Sequence, residues 1–420
     1  MLTRDIKISP AILSGLVPSI GSKSDIHRLL ICAALCDEPT VIKGVTRSDD
    51  IDATAQCLRA LGVKVEFSGR TCSVTPAKTD SECPLLDCHE SGSTLRFMLP
   101  VASALCHKAS FTGRGRLPRR PIGDLVSAME SGGVSFTKES LPLEISGKLR
   151  AGEYLLPGNV SSQYVSGLLM ALSITEGESE IILTSDLEST SYVNMTISTL
   201  AQFGARVIRT ERGYKICGKA HLTSPKRCVA DGDWSNAAFF ICAGALKDEV
   251  TVTDLDPFSP QGDKKVCEFL KRFGAKVNTV NSQVTVSADG LHACDIDLSD
   301  NPDLLPILAV VATTAVGTSR FTGAKRLKLK ESDRLLTVAD MINSLGGEAK
   351  VLPDGIIVIG KPLVGGEVDS HNDHRIAMAA AIAGSICTEP VIIRDAIAVN
   401  KSYPTFFEDY DRLGGISDVV

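Results

Sequence analysis

Two stretches from opposite halves of the chain, Thr199–Ile208 (TLAQFGARVI) and Phe269–Asn278 (FLKRFGAKVN), read as the same unit: a helix ending in an aromatic residue plus Gly, then a strand. The unit recurs. Working outward, it is found again at Cys57–Phe67 (CLRALGVKVEF), Ser127–Phe136 (SAMESGGVSF), Met341–Val351 (MINSLGGEAKV) and Tyr410–Gly415 (YDRLGG), with a strand expected after the first five copies. The glycines Gly62, Gly132, Gly204, Gly274, Gly346 and Gly414 lie about 70 residues apart, a period longer than those of the common solenoids. Each is predicted at a helix C′ position, where a positive φ is cheap only without a Cβ.

A second helix keeps the same spacing. Its copies are SDIHRLLICAALC from Ser24, STLRFMLPVASALC from Ser93, SSQYVSGLLMALSI from Ser161, SNAAFFICAGAL from Ser235, DLLPILAVVATTAVG from Asp303 and HRIAMAAAIAGSIC from His374. These are apolar nearly all round, as central helices are, whereas the LKRFG-type helices have one face for water. Short strands rich in Val, Ile and Thr lie between them. Each repeat is therefore two helices plus several strands. Six such helices divide more readily into two groups of three, each sheathed by sheets, so two similar domains are expected, with the midpoint near Cys228 to Asp233.

The 420 residues are 44% hydrophobic and 22% charged with 35 Gly, a globular composition. The net charge of −6 argues against a general nucleic-acid binder, which needs a basic surface. Thirteen cysteines without a C-x-x-C pair suggest neither a disulfide framework nor a zinc knuckle, and fit a reducing, cytoplasmic location. The N-terminus shows no targeting leader, and the most apolar runs are too short to span a bilayer. No nucleic acid or membrane partner is expected.

The apolar helices open on polar and charged residues: Lys23, Ser24 and Arg28; Gly92, Ser93 and Arg96; Ser161, Ser162 and Gln163; Ser235 and Asn236; Asp303; His374 and Arg375. Capping accounts for the Ser, Asn and Asp residues. It does not account for the cations, which are unfavourable at a positive helix end unless an anion is present. The second helix family repeats the theme with Arg119 and Arg120, Ser189 to Tyr192, Lys330 to Arg334, and Lys401 with Ser402. Two facing domains would enclose a cationic cleft for small polyanions. GSKSDIHR lacks the Walker spacing. His371 and His374 have no clustered carboxylate or Cys partners, so no metal is expected. KESDR taken alone reads as a solvated charge pattern.

The motifs GSKSDIHR, ESGSTLRF, RPIGDL, SSQYVSGLLMAL, STSYV, NPD, KESDRL, NDHRIAMA and KSYP at Lys401 follow one another from Gly21 to Pro404. In this order and spacing the chain resembles the enolpyruvyl transferases of the 5-enolpyruvylshikimate-3-phosphate synthase family. The resemblance implies an α/β fold of two similar domains, each of three βαβαββ repeats around buried parallel helices, an inside-out α/β barrel. Residues 1–20 and 229–420 would form one domain and 21–228 the other, with the active site in the interdomain cleft. It implies transfer of the enolpyruvyl group of phosphoenolpyruvate to the 5-hydroxyl of shikimate 3-phosphate, with release of phosphate, by a monomer without cofactor.

By the same resemblance, Lys23, Ser24, Arg28, Ser161, Ser162, Gln163, Ser189, Tyr192, Asp303 and Lys330 would hold shikimate 3-phosphate. Lys23, Gly92, Arg120, Gln163, Arg334, Arg375 and Lys401 would surround phosphoenolpyruvate. Glu331 would be the proton donor to carbon, Asp303 the base on the 5-hydroxyl, and Lys23 would share proton transfer. Glu90 departs from the family, where Asn is common, and Arg326 stands where some members have a substrate-binding Asn. Two other readings stay open. The related UDP-N-acetylglucosamine enolpyruvyl transferases carry a Cys in the loop that here reads GRGRLPRRP, and usually Asn at the position of Ser24. A noncatalytic anion-binding relative is the other.

Overall fold

The computed structural model describes residues 5–77, 83–219 and 221–420, so the first four residues of the expected discontinuous domain lie outside it. The chain is α/β and forms two compact units, Gly21–Ala230 and Met1–Ile20 with Asp231–Val420. Each unit contains three four-stranded sheets of one pattern: a parallel pair followed by two antiparallel strands.

In the first unit the sheets run Arg227–Val229, Thr40–Lys43, Thr71–Thr75, Lys64–Ser68; then Leu85–Asp87, Lys108–Thr112, Leu143–Gly147, Val134–Phe136; then Glu153–Leu156, Gly177–Leu183, Gly213–Gly218, Val207–Arg209. In the second they run Gly15–Pro18, Val250–Thr253, Gln283–Ser287, Lys276–Val280; then Asp295–Asp297, Thr318–Thr322, Gly355–Ile359, Glu348–Leu352; then Gly366–Asp369, Val391–Arg394, Ile6–Ser9, Ile416–Val419. Alternate residues along these strands are buried, the period-2 pattern of a half-covered sheet, as in Val250 and Val252 against Thr251 and Thr253.

Two features of this arrangement are invisible to periodicity. The strand leading into the Lys23–Ala34 helix pairs with Val250–Thr253, and the strand leading into Trp234–Gly244 pairs with Thr40–Lys43, so each of these strands lies in one unit and the helix that follows it lies in the other. In the sixth repeat the third place across the sheet is taken by a strand from the other end of the chain. Ile6–Ser9 fills that place, with Ile6 opposite both Ile393 and Val419. A strand, Ile416–Val419, therefore follows the sixth helix–Gly unit too, where the sequence pattern predicted one only after the first five.

The six apolar helices span Lys23–Ala34, Gly92–Leu105, Ser162–Leu172, Trp234–Gly244, Leu305–Thr314 and His374–Ile386, and their bodies are buried on every side. Ser22, Ser91, Ser161, Asp233 and Asp373 cap five of them, each side chain accepting a backbone N–H. The outer helices end on Gly62, Gly204, Gly274, Gly346 and Gly414 with φ between 79 and 99°. Gly132 is the exception. Its φ is −85°, and the left-handed residue is Gly133 at φ 93°, because two adjacent glycines let the turn fall one residue later than the pattern predicts. All thirteen cysteines are free, most of them buried, and no helix among the described residues is long and apolar enough to cross a membrane.

Ile8 is fully buried in the borrowed strand, and a Cβ on Gly384 of the last apolar helix would lie 2.7 Å from its Cγ2. Ile8→Ala is expected to cost about 2–4 kcal/mol. Urea unfolding followed by the fluorescence of Trp234, the one tryptophan, reports on this unit directly; an unchanged midpoint would show that the strand does not hold the sheet.

Candidate functional site

In the Gly21–Ala230 unit the side chains gather at the starts of three apolar helices. Ser22 takes the capping role at the first, which leaves Lys23 to turn across to the next helix, Asp49–Ala60, and donate to Asp50 Oδ2 at 2.7 Å. Asp50 was missed in the sequence because three acidic residues in a first helical turn read as dipole compensation. Arg28, one turn on, is 2% exposed. Its Nε donates to Thr196 Oγ1 at 2.7 Å, its Nη1 to the Ser24 carbonyl at 2.5 Å and its Nη2 to the Tyr192 carbonyl at 2.9 Å. The guanidinium also lies 5.1 Å from the centre of the Phe97 ring. Burial pulls its pKa down to about 10, with Asp25 nearby opposing the shift, and it stays charged at neutral pH. These hydrogen-bond acceptors are neutral oxygens, so the buried charge is solvated but not balanced by them.

A second group surrounds Gly92. Arg96, itself buried, donates from Nη1 to Gln163 Oε1 at 2.9 Å, and Gln163 Nε2 donates to Ser93 Oγ at 2.8 Å. Tyr164 donates to the Pro121 carbonyl at 2.7 Å, and that carbonyl also receives Arg96 Nη2 at 3.4 Å. The Arg120 segment is thereby tied to the helices that begin at Gly92 and Ser162. A Cβ on Gly92 would lie 2.5 Å from Arg120 Nη1 and 2.7 Å from Arg96 Nη1, closer than van der Waals contact allows. Two guanidinium groups therefore converge on this glycine. Gln163, expected to hold substrate, bridges Arg96 to Ser93. Ser161 acts as the helix cap, its Oγ accepting from the Gln163 amide at 3.3 Å. Ser189 is buried with φ 54°, a left-handed conformation that is uncommon for a non-glycine residue and aims the Ser189–Tyr192 turn.

The departing residue Glu90 lies against Gly115, at the start of the GRGRLPRRP loop, where a Cβ would meet its carboxylate at 2.6–2.9 Å. Arg326, the other departure, donates from Nη2 to the Ser299 carbonyl at 2.7 Å.

In the second unit KESDR is not the solvated helical charge pattern that its sequence suggests. Asp333 caps a helix that begins only at Arg334, and the preceding Lys330 and Glu331 lie on an irregular segment. Arg334 is 1% exposed. It donates from Nε and Nη2 to Asp373 at 2.8 and 3.0 Å, from Nη1 to Asp303 Oδ1 at 2.7 Å and from Nη2 to Glu331 Oε2 at 2.7 Å. Lys330 Nζ stands 3.2 Å from Asp303 Oδ1. Arg375 donates to the Asp303 carbonyl at 3.1 Å and lies 3.8 Å from Oδ2. Lys401 donates to the Asn372 carbonyl at 2.7 Å, next to Asp373.

The expected acid, base and three cations thus meet in one cluster, with Lys401 at its edge. Asp373, fully buried and absent from the sequence-derived set, joins them; it also accepts from Ser332 Oγ at 2.8 Å and caps the His374 helix. Burial alone would raise the Asp303 carboxyl, but the charges of Lys330, Arg375 and Arg334 outweigh it and hold the group well below the usual carboxylate range. Arg334 is pushed up despite its burial, because Asp373, Glu331 and Asp303 surround it. Two carboxylates that share Arg334, one of them also facing Lys330 and Arg375, form an arrangement that can move a proton beside fixed positive charge. Among the described residues no group of three His, Cys, Asp or Glu side chains could hold a metal ion.

Comparison with known proteins agrees in sequence and in fold. A family model described as EPSP synthase (3-phosphoshikimate 1-carboxyvinyltransferase) matches residues 9–410. The 3-phosphoshikimate 1-carboxyvinyltransferase of Clostridium novyi (strain NT) is 41% identical over 428 residues, covering 99% of this chain and 98% of the relative. That of Clostridium perfringens (strain 13 / Type A) is 40% identical over 420 residues, covering 98% and 99%. The structure of the EPSP synthase from Acinetobacter baumannii superposes with a TM-score of 0.83 at 26% identity, over 99% of this chain and 100% of that one. The enolpyruvyl transferase NikO from Streptomyces tendae, at 18% identity and a TM-score of 0.82, shares the fold. With the family matched over nearly its whole length and relatives at about 40% identity end to end, the chain belongs to the EPSP synthase family, the 3-phosphoshikimate 1-carboxyvinyltransferases.

Proposed function

We propose that the two clusters serve one pair of substrates, with Asp303 as base, Glu331 as acid and the buried cations as the anion-binding set. The reaction is that of the family: the enolpyruvyl group of phosphoenolpyruvate passes to the 5-hydroxyl of shikimate 3-phosphate and phosphate is released. The observation that carries the assignment of roles is the different setting of the two carboxylates. Asp303 is held ionised by three cations, whereas Glu331 shares Arg334 through Oε2.

In the first step Asp303 takes the proton of the 5-hydroxyl as its oxygen bonds to C2 of phosphoenolpyruvate, and Glu331 delivers a proton to C3. In the second step the Glu331 carboxylate takes a proton back from C3, the double bond re-forms and phosphate departs. The phosphate and carboxylate of phosphoenolpyruvate would meet Lys23, Arg120, Arg334, Arg375 and Lys401, with Gly92 leaving room beside Arg120. Cationic side chains in place before the reaction supply the charge that the departing phosphate needs. As substrate anions draw on Lys330 and Arg375, the charge holding Asp303 down is shared and its basicity rises. Arg28, Ser24, Ser161, Ser162, Gln163, Ser189, Tyr192 and Lys330 would hold shikimate 3-phosphate; the support for Arg28 is a buried charge whose hydrogen-bond acceptors are all neutral. A monomer in a reducing cytoplasm and the barrel-like helix arrangement of the family complete this reading.

The test is phosphate release from phosphoenolpyruvate with shikimate 3-phosphate, and separately with UDP-N-acetylglucosamine, without added metal. Release that depends on shikimate 3-phosphate is expected; release with the nucleotide sugar alone would move the reading to that class, and release with neither would leave an anion-binding protein. Glu331→Gln is expected to lower kcat by about 10²–10⁴-fold. Gly92→Ala should raise KM for phosphoenolpyruvate by roughly tenfold through displacement of Arg120, leaving KM for shikimate 3-phosphate in place. Equal effects on both would place the glycine elsewhere.

The ionisation of Asp303 has its own signature. Its folded pKa lies below the unfolded value, so its stabilising contribution is complete above about pH 4 and is lost as pH falls towards the depressed value. Asp303→Asn should therefore lower Tm by an amount that is constant from pH 5 to 8 and shrinks below pH 4. A difference that changes between pH 6 and 7 would contradict it.

A further inference from the structure

Asp263 is a fully enclosed carboxyl that the proposed mechanism does not use. It lies on the short turn Gly262–Lys265 and is 2% exposed. One oxygen, Oδ2, accepts from Ser235 Oγ, and the other accepts from Asn301 Nδ2 at 3.4 Å. Ser235 stands in the first turn of the Trp234–Gly244 helix, where Asp233 has already taken the capping role by accepting the Asn236 amide at 2.8 Å. Asn301 is itself buried and begins the Asn301–Pro302–Asp303 turn; Leu304 N donates back to its carbonyl at 3.2 Å. Two residues after Asn301, the Asp303 side chain meets Arg334 and Lys330, and its carbonyl receives Arg375.

We propose that Asp263 is a positioning residue: by holding Asn301 against the start of the Trp234–Gly244 helix, it sets the turn that aims the Asp303 carboxylate and seats Arg375. This inference rests on the reading of Asp303 as the base. Asn301 precedes a proline, which offers no N–H through which the turn could be anchored. Asn301 N donates to the Leu298 carbonyl at 3.0 Å, so its side chain is the contact that ties the turn to the neighbouring helix. The charged groups that act on Asp263 are Arg375 and Asp303, of opposite sign, and burial dominates both in raising its pKa.

The experiment uses the full chain and steady-state kinetics with both substrates, alongside Tm. Asp263→Ala is expected to lower kcat at least about tenfold, since a misplacement of about 1 Å can cost up to about a hundredfold, with KM for shikimate 3-phosphate within about twofold. Asp263→Asn should restore kcat to within about threefold, because its amide can accept from Asn301 and donate to Ser235. Asn301→Ala, which removes the middle link without emptying the Asp263 position, should reproduce the kcat loss, and serves as the decisive variant if Asp263→Ala does not fold. Unchanged kcat in Asn301→Ala, or an Asp263→Asn as impaired as Asp263→Ala, would overturn the positioning role. Asp303→Asn separates this from the parent reading. If it keeps turnover, the base assignment fails; if it is inactive while the Asp263 and Asn301 variants turn over normally, only the present inference fails.

Discussion

A helix that is apolar on every side has one polar feature left, its ends. Six such helices form the core of this protein, and the sheets around them can cover side chains but cannot satisfy the first N–H groups of each helix. Cap residues two positions ahead of Ser24 and Ser93, namely Ser22 and Ser91, meet part of that need. The side chains just inside the helices are thereby released to reach sideways, as Lys23 does to Asp50 and Ser93 does to Gln163. The polar chemistry of the protein is a consequence of where an apolar core has to stop.

The charges gathered there differ in how they are balanced. Arg334 is surrounded by three carboxylates, an arrangement in which removing any one partner would leave buried charge uncompensated. Arg28, in the other unit, is solvated by hydroxyl and carbonyl oxygens. The first arginine is compensated inside its own cluster, whereas the hydrogen-bond acceptors of the second are all neutral. That distinction cannot be drawn from residue type, since both are arginines within the first two turns of their helices.

The repeat architecture was legible because it is written in local signals: glycine after a helix, two periodicities of apolar residues, a constant spacing. Five of the six repeat glycines have the positive φ that their position predicts, and Gly132 yields it to Gly133 because only the local competition between two glycines decides the turn. The motifs were equally legible, and Asp303, Lys330, Glu331, Arg334 and Arg375 do converge. Asp50, Asp373 and Asp263 were not. Each reads locally as an ordinary cap or first-turn acid, and acquires its meaning from a partner 27 to 39 residues away.

By itself, then, the sequence determined the class of fold, the six repeats and, through the resemblance of its ordered motifs, the family, because all of these are written in short-range pattern. Tertiary structure alone decided that Ile6–Ser9 completes the last sheet, that Gly15–Pro18 pairs with Val250–Thr253 and Arg227–Val229 with Thr40–Lys43, and which carboxylate each cation faces. Strand partners and ion pairs are chosen by which groups are left unsatisfied when the cores close. That is a property of the assembled sheets and helices, and no single segment contains it.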